Sequence, residues 1–459
     1  MSEILLVEPD YRSKFPPLGL MRIATYHRDI GDTVAFVRGL QPDMKARSWH
    51  RVYVSSLFTW QLPKTVRTLR YYASSVSSPD SLFVGGVGAT LLPDYIARST
   101  KCRIVPGLLS RANMLGRGSP TIAKLPPDYD ILHAVDYTYV PLDAYFLRIT
   151  QGCVRKCHFC AVPRLEPEFR YLQNVRTQIS DVDARYGEKH DLVVLDNNIL
   201  ALDNVESILA HIADVGFQAG AKRNNRKRSV DFNQGIDARI VARHPSLARA
   251  LSSICLSPVR LAFDQVTMEQ SYVKAINAFA NQGFSEFTNY MLFNFNDTPR
   301  DLYHRLMFNV SLNEELRIRI TGFPMRFLPM DRVDRAYVAP GWKWRYLRGI
   351  QCVLLATHGL VSPNPHFVRR AFGDSYEHFI EILSMPDRYI VHRERYERDQ
   401  AKDWRRLFRR LSQSQRDEFL DALAIINKSR DKKNTIGEFK VFRALLEHYY
   451  PRGKPTPCE

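Results

Sequence analysis

The chain has 459 residues, 45% of them hydrophobic and 25% charged, with 65 Lys and Arg against 48 Asp and Glu. That length exceeds one ordinary core and suggests about two to four domains, and no apolar run approaches the roughly 18 residues that a membrane-spanning helix needs. The net charge of +17 attracts polyanions and makes nucleic acid a candidate partner, although an Arg-rich solvated surface explains the same charge.

Met1 runs directly into Ile4-Leu5-Leu6-Val7, too short an apolar core for a signal peptide and without a basic leader, so a cytoplasmic address is expected. Ile4 to Val7, Val34 to Val37, Val52 to Leu57 and Leu82 to Gly85 read as buried strands, with helices over Leu18 to His27 and Val66 to Val76. Pro93 suits a helix start after the turn Gly85-Gly86-Val87-Gly88. This alternation predicts an open, mostly parallel sheet over residues 1–110. Residues 111–143, with Pro126-Pro127-Asp128-Tyr129, read as a linker. A second βα series follows over 144–335, with strands expected at Tyr145 to Thr150, Leu192 to Asp196, Val230 to Phe232, Val259 to Phe263, Phe287 to Phe293 and Ile318 to Thr321. Six strands with intervening helices suggest a partial barrel, whose chemistry would gather at the C-terminal strand ends. Residues 336–459 read as a charged helical extension, with helices across Arg393 to Leu411 and Gln415 to Ile426 and a turn at Asn434 to Gly437.

Of the seven cysteines, Cys153, Cys157 and Cys160 crowd into eight residues directly after the strand that ends at Thr150. An odd count with this clustering does not resemble a disulfide framework. Cys102, Cys255, Cys352 and Cys458 lie far apart and read as small buried hydrophobes or idle thiols. Thiolates suit iron–sulfur clusters and zinc. Three thiolates on a four-iron cluster leave one iron open to a small molecule, whereas structural zinc closes four positions and would recruit His158 or a distant residue.

The segment Gly152-Cys153-Val154-Arg155-Lys156-Cys157-His158-Phe159-Cys160, Cys-x3-Cys-x2-Cys placed after a strand, resembles the signature of the radical S-adenosylmethionine superfamily. The resemblance implies a [4Fe-4S] cluster on Cys153, Cys157 and Cys160, with the open iron chelating the methionine end of S-adenosylmethionine. It further implies reductive cleavage to a 5′-deoxyadenosyl radical that abstracts hydrogen from a substrate, and adenine contact at the backbone of Phe159. The Pro16-Pro17-Leu18-Gly19-Leu20 turn, the strand end Val54 to Trp60 and the Gly85-Gly86 turn make the first domain similar to the cobalamin-binding-like domain of a large radical subgroup. The implied fold class is α/β: an N-terminal Rossmann-like parallel sheet, a central partial (β/α)6 TIM-like barrel and a helical C-terminal extension. The Asp-x-His-x-x-Gly segment that supplies a cobalt ligand in many cobalamin proteins is absent. The favoured reading is a scaffold domain without the corrinoid, with cobalamin held open as a second one.

Asp196 and Asn197 stand where the superfamily often carries a Gly-Gly-Glu segment, and their oxygens suit an ammonium; the plainer reading is a polar turn before a helix. Gln234 and Arg239 lie in Asp231 to Arg239, which resembles a segment of the same subgroup and suits a ribose or carboxylate; an Arg239–Asp237 structural pair is the alternative. Asp264, Gln265, Asn294 and Asn296 are weaker candidates at later strand ends. No catalytic side chain is singled out. The basic run Lys222 to Arg228, the pairs Arg405-Arg406 and Arg409-Arg410, and Trp342, Trp344, Tyr346 and Trp404 could bind nucleic acid, but a solvated helix face with packing aromatics explains them as well. The functional expectation is a radical S-adenosylmethionine enzyme with a flavodoxin- or ferredoxin-like electron donor and no membrane association. A small-molecule substrate is favoured over nucleic acid. The alternatives are a cobalamin-dependent radical methyltransferase, on nucleic acid among other targets, and a zinc-stabilised nucleic-acid-binding protein without catalysis.

Overall fold

The valine-, isoleucine- and leucine-rich runs of the first hundred residues form strands of which the inner ones are buried on both faces, the pattern of a parallel sheet covered by helices. In the computed structural model, which describes residues 1–451, these are β1 (Glu3–Glu8), β2 (Thr33–Arg38), β3 (Arg51–Ser56), β4 (Leu82–Gly86) and β5 (Arg103–Val105). Cys458 lies outside the described residues. All neighbours pair in parallel in the order β2-β1-β3-β4-β5, with Leu5 opposite Ala35 and Val52, and Val84 opposite Val54 and Ile104. Leu5, Val7, Val52, Val54 and Val84 pack with Leu62, Leu69 and Tyr72 in one core. Helix α1 (Leu18–Asp29) follows Pro16-Pro17, and α2 (Leu62–Tyr72) starts earlier than the apolar pattern suggested because Pro63 suits its first turn. Helix α3 (Pro93–Ser99) begins at the expected proline. Strand β5 was not anticipated; three residues carry too little periodicity to register.

Residues 111–143 are not a free tether. Ile122, Tyr129, Ile131, Leu132 and Tyr139 are buried. Thr25 Oγ1 donates to the Pro126 carbonyl at 2.7 Å, and the Tyr139 hydroxyl to Glu8 at 2.5 Å. After it come β6 (Ala144–Leu147), β7 (Asp191–Val194) and β8 (Val230–Phe232), a parallel sheet in the order β8-β7-β6. A separate sheet holds β9 (Val259–Ala262), β10 (Glu286–Phe293) and β11 (Arg319–Arg326) in that order, β10 and β11 pairing in parallel over their full lengths. Every expected strand of this region forms, in two three-stranded sheets rather than one continuous hydrogen-bonded sheet.

The chain divides by contacts into two compact units, one of Met1–Arg260 with Leu328–Tyr337, the other of Leu261–Phe327 with Val338–Glu459. The cut falls inside the expected barrel segment, within β9: β6, β7 and β8 group with the N-terminal sheet, and β10 and β11 with the C-terminal helices. In the second unit Ala339 N donates to Asn294 and Trp342 Nε1 to the Asp297 carbonyl. Trp342, Tyr346 and Trp404 are buried there, and Arg405 and Arg409 both pair with buried Glu381. The expected turn at Asn434 to Gly437 is instead part of a helix over Lys432–Glu438, because the Asp431 side chain caps it through Asn434 N. The expected helix from Arg393 is broken, with Arg393–Tyr396 and Gln400–Arg409 as separate helices. Among the described residues no helix is long and apolar enough to cross a membrane.

Candidate cofactor site

In the first unit β6 ends at Leu147 and the chain turns into the cysteine loop, whose entry is held by buried carboxylates. Asp196, directly past β7, accepts from Ile149 N at 3.0 Å and from both the amide and the hydroxyl of Thr150. Burial pushes its carboxyl up to about 6, against the hydrogen bonds from Thr150 and Ile149 that draw it down. Thr150-Gln151 then pairs antiparallel with Arg170-Tyr171, closing the loop's base. Glu166, also buried, accepts from Gly152 N at 2.7 Å and Asn197 Nδ2 at 3.1 Å and pairs with Arg148. Gly152 has φ +79°, and a Cβ there would overlap the Glu168 carbonyl, so glycine is required before Cys153.

Beyond Gly152 the loop carries Cys153, Cys157 and Cys160, all partly exposed and unlinked. The Cys153 sulfur accepts from Arg155 N at 3.3 Å and Asn198 Nδ2 at 3.7 Å. Arg239 lies against Cys157 and Asp237. Asp237, the cap of helix α4 (Ala238–Arg243), accepts from Arg155 Nε at 2.8 Å, Arg239 Nε at 2.8 Å and Asn198 Nδ2 at 3.3 Å. Burial raises the Asp237 carboxyl, but Arg239 and Arg155 outweigh it and leave the group below the ordinary range. Asn198 Oδ1 is buried with no hydrogen-bond partner among the described residues.

Of the residues expected from sequence, Cys153, Cys157, Asn197 and Arg239 belong to this network, with Cys160 and Phe159 on the same loop. Asp196 sits beneath the loop with both oxygens occupied by the backbone and hydroxyl of Ile149 and Thr150, so it holds the loop rather than offering a free acceptor. Gln234 is exposed and donates to Asn233 at 3.4 Å, outside the network. Arg148, Arg155, Glu166 and Asn198 were not singled out; each has a partner in this network 14 to 82 residues away in the chain, where no local pattern signals it. Burial raises the other described thiols, Cys102, Cys255 and Cys352, each to about 11, so they stay protonated near neutrality. Asp264 and Asn294, in the second unit, are engaged structurally, accepting from Leu292 N and bonding Phe327 and Ala339.

As it stands, no group of three His, Cys, Asp or Glu side chains among the described residues is arranged to hold a metal ion. The donor set still fits a thiolate-bound cluster. Three thiols share one loop, N–H groups point at the Cys153 sulfur, a guanidinium lies beside Cys157, and such donors stabilise negative sulfur and tune a cluster.

No family model and no curated protein sequence matches the chain. Among solved structures it is similar to an apo, selenomethionine-labelled cobalamin-dependent S-adenosylmethionine radical enzyme, OxsB, at 13% identity and TM-score 0.42, over 67% of this chain and 51% of that one. It is also similar to SuiB of Streptococcus suis bound to S-adenosylmethionine, at 12% identity and TM-score 0.30, over 47% of this chain and 48% of that one. The chain thus spans about half the length of each.

Proposed function

We propose that this chain is a radical S-adenosylmethionine enzyme in which Cys153, Cys157 and Cys160 hold a [4Fe-4S] cluster. The observation that carries it is the loop itself: three thiols in eight residues at the end of a parallel strand, anchored by buried Asp196 and Glu166 and supplied with donors to sulfur. With S-adenosylmethionine on the open iron, such a cluster supplies a 5′-deoxyadenosyl radical on receipt of one electron. The protein's part is positional. Glu166 and Asp196 fix the loop, and Asn198 offers a buried, unused carbonyl oxygen that suits the methionine ammonium better than the occupied Asp196. Arg239, forked and beside Cys157, suits a carboxylate, and the Phe159 backbone suits adenine by resemblance. The electron comes from a flavodoxin- or ferredoxin-like protein, and the substrate is a small molecule. The N-terminal domain serves as scaffold without cobalamin, a reading supported by the absence of the Asp-x-His-x-x-Gly segment that supplies a cobalt ligand in many cobalamin proteins.

The test is anaerobic reconstitution with iron and sulfide, followed by metal analysis and assay of S-adenosylmethionine cleavage under a low-potential reductant. About four irons per chain and 5′-deoxyadenosine are expected, with iron lost in Cys153→Ser, Cys157→Ser and Cys160→Ser. Stoichiometric zinc without iron, or iron retained in all three variants, sinks the proposal.

A further inference from the structure

At the carboxyl edge of the N-terminal sheet lies a cavity of about 370 Å³. It opens where β1 and β3 lead away in opposite directions, the crevice in which open parallel sheets of this order receive ligands. Its walls are apolar, with Phe15, Leu57, Leu109 and Ile122 among them. Three charged side chains reach it. Glu8 is engaged by Arg38 Nε at 2.9 Å and the Tyr139 hydroxyl at 2.5 Å, and Arg148 by Glu166. The third, Arg22, has no ion pair or hydrogen bond among the described residues, and its Nε is buried. Burial, with repulsion from Arg148, pulls the Arg22 guanidinium down to about 10, so it remains charged at neutral pH. The N-terminus of α1, at Pro17-Leu18-Gly19, lies on the same wall and has no capping side chain. An uncapped helix start and a half-buried, unpaired guanidinium whose Nε is out of reach of solvent both favour negative charge at one end of an apolar chamber.

We infer that this cavity binds an apolar molecule ending in a single carboxylate, with Arg22 and the start of α1 receiving the carboxylate and the chamber receiving the chain. At roughly 30 Å³ per non-hydrogen atom the space takes about a dozen such atoms, the size of a medium-chain carboxylate. The site stands whether or not the cysteine loop carries a cluster, since none of its walls is a cysteine.

Calorimetric titration of the full chain with sodium decanoate tests it. One equivalent is expected to bind, with decan-1-ol and the Arg22→Met variant each weaker by about thirtyfold or more, as for loss of one partner of a buried charge pair. Arg22→Lys, which keeps the charge, is expected to retain most of the binding. Arg22→Met removes an unpaired, half-buried charge and is expected to melt no lower than the parent; if it does not fold, the decanol comparison and Arg22→Lys still decide. Equal binding of decanol and decanoate overturns the inference. So does tighter binding of decyl phosphate, or stoichiometric hydroxocobalamin that displaces decanoate.

Discussion

At the scale of single residues, the cysteine loop depends on two groups that bear no metal. Gly152 holds a left-handed backbone angle against the Glu168 carbonyl. Gly152→Ala adds a Cβ where none fits, and is expected to cost about 2–4 kcal/mol in urea unfolding and to lower iron loading in parallel. Unchanged stability would mean the loop tolerates another path. Asp196 contributes a pH signature. An unfolded Asp releases its proton near 3.9, while burial sets the folded group at about 6. Between about pH 4 and pH 6 the folded chain therefore binds the extra proton, and stability from this site is lost as pH rises through that window. Relative to Asp196→Asn, the parent is expected to lose about 2–3 kcal/mol between pH 4 and pH 7 in urea unfolding. A pH-independent difference between the two proteins contradicts this account.

Among the secondary elements, α5 (Pro299–Leu316) shows how one side chain organises a sheet edge. Arg305, fully buried, donates to the carbonyls of Phe263, Asp264 and Leu292 at 2.8 to 3.0 Å and to Asp297 at 2.6 Å. Arg305→Met takes this donor from those carbonyls and the ion partner from the buried Asp297 carboxylate, and is expected to destabilise by about 3–5 kcal/mol. Arg305→Lys should rescue little, because a single ammonium cannot span the fork; recovery of parental stability with Lys refutes the multidentate role. The strands were legible because buried parallel strands read as continuous Val, Ile and Leu runs, as at Ile4 to Val7 and Leu192 to Val194. The cysteine triad stands out in the sequence by its spacing together with its place after a strand. Arg305, Glu166 and Asn198 were not, since a buried polar side chain is defined by partners distant in sequence and leaves no period to read. The helix over Lys432–Glu438 was missed for a different reason: Asn and Gly suggested a turn, while the capping Asp431 just upstream overrode them.

For the whole molecule the question is what a net charge of +17 does. Much of the basic inventory is spent internally: Arg228 on Glu188, Arg260 on Asp231, Arg345 and Arg348 on Asp387, Arg409 on Glu381. The basic run Lys222 to Arg228 is a tight hairpin whose Asn224 and Asn225 take left-handed angles, and its last arginine is buried over Phe217. Of the aromatics expected to stack on bases, Trp342, Tyr346 and Trp404 are at most 8% exposed, and Trp344 is half-buried. What remains is a diffuse field without an open stacking platform among these residues, so contact with a polyanion should be electrostatic and insensitive to sequence. If about six phosphates of a single-stranded RNA are neutralised, affinity is expected to fall roughly 300-fold between about 50 and 200 mM salt, with poly(U) and mixed sequences bound alike. Fluorescence anisotropy across that salt range measures it. Binding that persists at higher salt or prefers one sequence requires base contacts, and would move the substrate from a small molecule to a nucleic acid.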